Sequence, residues 1–129
     1  MTILAVDTHT AVWYLSDDRR LKSTAGDALD RADRILLPSI CIVEIIYLVE
    51  KRKLDAANLP RILNELDHPD TKLILTPLDH GAVLSLQDIP RHKVPDMPDR
   101  IISATALYHR VALVTRDRKI RKSGIKTIW

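Results

Sequence analysis

Short apolar runs alternating with helix-length segments constrain this chain more than any other feature. Ile3-Leu4-Ala5-Val6, Ile35-Leu36-Leu37, Lys72 to Thr76 and Ala112-Leu113-Val114-Thr115 each read as a strand, and a last short one falls near Lys126–Ile128. A continuous apolar run suits a strand buried on both faces. Between the runs, helices are expected from Thr8 or Thr10 (as N-caps) through Leu15, over 21–33, from a Ser39 cap to about Lys53, from Asn58 or Pro60 to Leu66, over 79–87, and from about Pro98 to His109. Residues 88–98 carry three prolines and read as a loop. Strands joined by helices make βαβ units. The expected fold is therefore three-layer α/β/α, with a central, mainly parallel sheet of about five strands. Ligands in such sheets sit beyond the carboxyl ends of the strands, where strand order reverses.

With 129 residues, one domain spanning the chain is expected. Three glycines and the absence of GxGxxG or GxxxxGK[ST] exclude the common phosphate loops. A lone Cys41 excludes a disulfide framework and a cysteine-rich zinc site. No apolar stretch approaches the ~18 residues of a membrane span. No basic region precedes an apolar stretch at the N-terminus, so a secretory signal is not expected and a cytoplasmic location is. Net charge is +3, but residues 116–122 hold five cations in seven positions, with smaller clusters at 51–53 and 91–93. Such clusters suit a polyanion; a solvated helix face is the alternative.

Four acids are not required by the folding pattern. Asp7 ends the first strand, where it either caps the next helix or faces the crevice above the sheet. Glu44 stands alone among nine apolar residues from Ile40 to Val49. A helix apolar on all sides is expected to be buried, and a buried carboxylate is costly unless paired, for instance with Arg100, or bound to a metal. Asp96-Met97-Pro98-Asp99 resembles a capping box. Asp117 follows the fourth strand and could merely open the basic turn. In a parallel α/β sheet, strand C-termini and helix N-termini share one edge, so the four acids converge. Two carboxylates ~4 Å apart repel by about 4 kcal/mol at an effective dielectric of 20. A cluster of hard oxygen donors without a Cys/His set points to Mg²⁺ or Mn²⁺, and such an ion suits phosphodiester hydrolysis.

The arrangement resembles the PIN domain and, within it, the VapC-type ribonuclease toxins. The resemblance is carried by Ile3 to Leu15, Pro38 to Glu44, Asp96 to Ala106 and Leu113 to Asp117, in the expected order along essentially the whole chain. It implies an endoribonuclease dependent on Mg²⁺ or Mn²⁺, usually dimeric, held inactive by a small antitoxin encoded nearby. The family's acidic site would fall on Asp7, Glu44, Asp99 and Asp117, with Asp7, Asp99 and Asp117 on the metal, Glu44 toward the attacking water and Thr115 in support. Relatives commonly carry Asp-Pro-Phe-Asp-Arg where this chain has Asp-Met-Pro-Asp-Arg. The acid adjoining the arginine is taken as the ligand, and Asp96 as a cap.

Arg100, Arg116, Arg118 and Lys119 are candidates for holding RNA phosphates, ordinary surface roles being the alternative. His9 reads as a polar loop residue, and Trp13, Tyr14 and Tyr47 as core. A haloacid-dehalogenase-type hydrolase would want a second Asp where His9 stands, and a receiver domain would want paired acids where Val6-Asp7 stands. A non-catalytic RNA- or protein-binding module of the same fold has no evident reason to keep four mutually repelling acids.

Overall fold

The computed structural model describes residues 1–129. Five strands, β1 (Ile3–Val6), β2 (Arg34–Pro38), β3 (Leu73–Thr76), β4 (Ala112–Val114) and β5 (Thr127–Ile128), form one sheet in the order β3-β2-β1-β4-β5. Every neighbouring pair is parallel, with Leu4 opposite Ile35 on one side and Ala112 on the other. The helices are α1 (Thr8–Leu15), α2 (Ser23–Arg31), α3 (Ser39–Glu50), α4 (Asn58–Asp67), α5 (His80–Ser85), α6 (Met97–Tyr108) and α7 (Arg118–Arg121). The expected parallel α/β architecture is therefore present, with its strand order reversing beside β1.

Core side chains come from the sheet (Ala5, Val6, Leu37, Leu113, Val114) and from the helices laid on it (Leu29, Ile45, Ile62, Ile102, Ile120). Helix boundaries follow local chemistry, with some departures from expectation. Asp7, not Thr8 or Thr10, caps α1, because its Oδ1 accepts from the Thr10 amide at 3.0 Å. Ser39 makes no cap, and Pro38 takes the cap position of α3, where its missing N–H costs nothing. The segment read as a basic turn closes into the single helical turn of α7. The 79–87 helix tightens at its end into a 3₁₀ turn over Leu86–Asp88.

The largest departure concerns α3. Its apolar sequence predicts burial, yet only Cys41 and Ile45 are buried, while Val43, Ile46 and Tyr47 are exposed. The helix meets α1, α4, α6 and β2, which together cover only part of its circumference. Edge strand β3 likewise exposes Ile74 and Leu75.

Candidate active site

Two neighbouring strands bring the site together. The chain leaves β1 at Asp7 and leaves β4 at Thr115, and Thr115 Oγ1 donates to Asp7 Oδ2 at 2.5 Å across the point where strand order reverses. The same hydroxyl accepts from the Asp117 amide at 3.0 Å, so one buried threonine orders both acid-bearing turns. Asp117 Oδ1 in turn caps α7 through the Ile120 amide at 2.9 Å. Asp96 caps α6 through the Asp99 amide at 3.1 Å. The capping box is only half made: Asp99 has no return bond to Asp96, and its carboxyl lines the cavity instead.

Asp7, Glu44, Asp96, Asp99 and Asp117 thus line a single cavity of about 410 Å³, together with Thr8, His9, Thr10, Trp13, Arg20 and Arg116. None of the five carboxylates has a salt bridge; the molecule's one ion pair is Arg20–Asp18. The N-termini of α1, α6 and α7 point at this cavity, and their dipoles offset part of the negative charge.

The remaining repulsion is visible in two acids. Burial, followed by the charges of Asp96, Asp117, Glu44 and Asp7, pushes the Asp99 carboxyl up to about 7. Burial also raises Glu44, partly offset by a hydrogen bond from Thr8 Oγ1 at 2.5 Å. Glu44 has no partner in Arg100. That guanidinium donates to the carbonyls of Ile89 and Leu86, each at 2.8 Å, and ties the proline-rich loop to α6. Arg100, expected among the phosphate-holding cations, is therefore spent on backbone.

Of the other cations in that group, Arg116 lines the cavity, whereas Arg118 lines a separate hollow with Arg121, Lys122 and Thr127, and Lys119 is exposed on α7. His9 is not in a loop: it sits in the first turn of α1 with its ring 5.6 Å from that of Trp13. Trp13 is a core residue as expected, but Tyr47 is exposed. Burial raises the Cys41 thiol, which keeps it protonated and unreactive. Arg20 and Thr10 escape a sequence reading of the site. The one available signal was the spacing of Asp7, Thr10 and Trp13, three residues apart along one helix.

The donor set fits a hard divalent ion: oxygen ligands, net negative charge, and no cysteine or imidazole cluster. As they stand, no three acidic, histidine or cysteine side chains are grouped closely enough to hold a metal ion by themselves.

This geometry agrees with the relatives the chain has. Residues 4–126 match the PIN domain family, and the chain belongs to it. Within the family it is of the VapC type: it is 31% identical over 123 residues to Ribonuclease VapC22 of Mycobacterium tuberculosis, an alignment covering 94% of this chain and 92% of that protein. In fold it is similar to VapBC2 from Rickettsia felis, solved bound to a promoter DNA fragment (TM-score 0.71, 17% identity, 98% and 97% of the two chains covered). It is also similar to DNA-bound VapBC from Salmonella typhimurium (TM-score 0.73, 19% identity, 98% and 97% covered), and to a toxin–antitoxin complex from Klebsiella pneumoniae (TM-score 0.70, 18% identity, 98% and 96% covered).

Proposed function

We propose that this chain acts as one PIN unit over residues 1–129, a cytoplasmic endoribonuclease toxin that hydrolyses RNA phosphodiester bonds with Mg²⁺ or Mn²⁺. The observation that carries the reading is a cavity holding five carboxylates and no ion pair to any of them, at the reversal of strand order. Asp7, Asp99 and Asp117 would hold the ion, which when bound supplies charge neutralisation at the phosphate and a more acidic water. Thr115 keeps Asp7 and Asp117 in register by bonding to both. Glu44, half-buried and held by a hydrogen bond from Thr8, would accept a proton from the attacking water. Asp96 holds the end of α6 and so positions Asp99.

The similar solved structures are toxin–antitoxin complexes, which supports a small antitoxin as the partner of this chain. The apolar side chains left exposed on α3 and α5, among them Ile46, Tyr47, Val83 and Leu84, supply surface for that partner and for a homodimer. Sedimentation of the chain alone tests the dimer.

RNA cleavage with Mg²⁺ or Mn²⁺ and again with EDTA, on wild type beside Asp7→Asn, tests the central reading. Cleavage should require the ion and vanish in the variant, which should remain folded. Metal-independent cutting, or full activity in Asp7→Asn, would refute it; a folded wild type that binds RNA but never cuts would favour the binding module.

A further inference from the structure

Part of the cavity's lining is cationic: Arg116 is unpaired, and Arg20 pairs with Asp18 rather than with any of the five cavity carboxylates. Arg20 and Arg116 both rest on the Trp13 indole, their guanidinium carbons 5.3 and 4.6 Å from the ring centroid. Trp13 is only 4% exposed, so the platform is fixed by the core. Asp18, which is not part of the cavity lining, grips Arg20 at two points, Nη2 to Oδ2 at 2.7 Å and Nε to Oδ1 at 3.0 Å. Arg116 forms no ion pair although five carboxylates share its cavity.

We propose that Arg20 and Arg116 form a subsite for one backbone phosphate of the RNA strand, with Trp13 and Asp18 as positioning residues. The inference rests on the ribonuclease reading and names how that site holds its substrate. Arg116 presents an unpaired planar fork matched to phosphate oxygens, Arg20 adds the guanidinium edge that Asp18 leaves free, and stacking on an indole fixes both planes before the ligand arrives. Pre-ordering two long side chains removes an entropy cost that binding would otherwise carry. A strand entering a cavity of five carboxylates is repelled, so its nearest unreacting phosphate needs a cationic anchor. Anchoring one phosphate here sets which neighbouring phosphodiester reaches the carboxylates.

The test measures binding of a fluorescein-labelled, mixed-sequence 20-nucleotide RNA by anisotropy in EDTA over a range of salt, and cleavage of the same RNA with Mn²⁺. Arg20→Met and Arg116→Met should each weaken binding about tenfold. Each should also lower the slope of log Kd against log salt, and the double variant should lower it by about 0.7, the value for one phosphate contact on a single strand. In cleavage they should raise KM more than they lower kcat, while Arg31→Met, exposed in the last turn of α2 and outside the cavity, changes neither. In Trp129→Phe, where Trp13 is the sole indole, RNA should alter the emission, and adding Arg116→Met should abolish that change. Wild-type cleavage together with unchanged slope and KM in both arginine variants would overturn the subsite alone. A folded wild type that neither binds nor cuts the RNA would remove the ribonuclease reading and the subsite together.

Discussion

Asp99 shows how a single residue can serve folding and chemistry at once. Its place in the first turn of α6 is what a capping box needs, yet the return bond is not made and the carboxyl lies among four other acids. A folded value of about 7, against about 3.9 for an unperturbed aspartate, means the folded chain holds a proton that the unfolded chain has lost. The associated stability is complete below about pH 4 and is lost as pH rises to about 7, and Glu44, also raised, acts in the same direction. In EDTA, the Tm should therefore fall between pH 5 and pH 8, and Asp99→Asn should flatten that fall by raising the Tm at pH 8. Parallel curves for the two proteins would show that Asp99 is not the strained group. Thr115 makes a contrasting case, since its hydroxyl bonds to both Asp7 and the Asp117 amide. Thr115→Val should cost about 1–3 kcal/mol by urea denaturation and most of the cleavage activity, whereas Thr115→Ser keeps both. That Asp7, Glu44, Asp99 and Asp117 gather at one edge was legible in the sequence, although Asp7 and Asp117 also serve the ordinary capping role that was their alternative reading. Thr10 and Arg20 were not, since nothing local marks a hydroxyl that ends without a partner or an arginine that a helix later folds onto its tryptophan.

Among the elements, strands were easier to read than helices for a physical reason. Ile3–Val6 and Ala112–Val114 lie in the middle of the sheet with helices over both faces, so their composition and their burial coincide. For α3 the two diverge: Ile42, Val43, Ile46 and Tyr47 are apolar, but the chain alone covers only one side of the helix. Apolarity in a sequence records a preference for burial, not whether the fold supplies the cover. The loop after α5 poses the opposite problem, because its prolines conceal how firmly it is held. Ile89 and Val94 are buried, and Arg100 reaches back from α6 to two carbonyls at 2.8 Å. Arg100→Met should lose about 1.5–3 kcal/mol of stability, the value of a hydrogen bond to a charged group, and speed amide exchange over residues 86–96. It should leave the salt dependence of RNA binding unchanged. A reduced salt slope with intact stability would return Arg100 to the phosphate-binding set.

The whole molecule carries a formal charge of +3, yet it concentrates five carboxylates in one cavity and leaves them without ion pairs. That distribution followed from topology, which was legible: parallel strands put strand exits and helix starts on one edge, where Asp7, Asp96, Asp99 and Asp117 lie, and Glu44 reaches the cavity from the second turn of α3. The cost falls on the metal-free fold, which must hold like charges together, and a divalent ion that binds this cavity removes it. Because the unfolded chain scatters Asp7, Asp99 and Asp117, an ion bound as proposed would favour the folded state by RT ln(1 + [ion]/Kd), about 2.7 kcal/mol at a hundredfold excess over Kd. Protons compete for the same oxygens, chiefly at Asp99, where neighbouring charge and burial hold the carboxyl at about 7. Mg²⁺ or Mn²⁺ should therefore raise the Tm by more at pH 8 than at pH 5, reversing the decline seen in EDTA. Asp7→Asn and Asp99→Asn should each shrink the rise at pH 8, and NaCl at matched ionic strength should not reproduce it. A rise equal at both pH values, or undiminished in both variants, would mean that the ion stabilises the protein elsewhere and that the cavity is not its binding site.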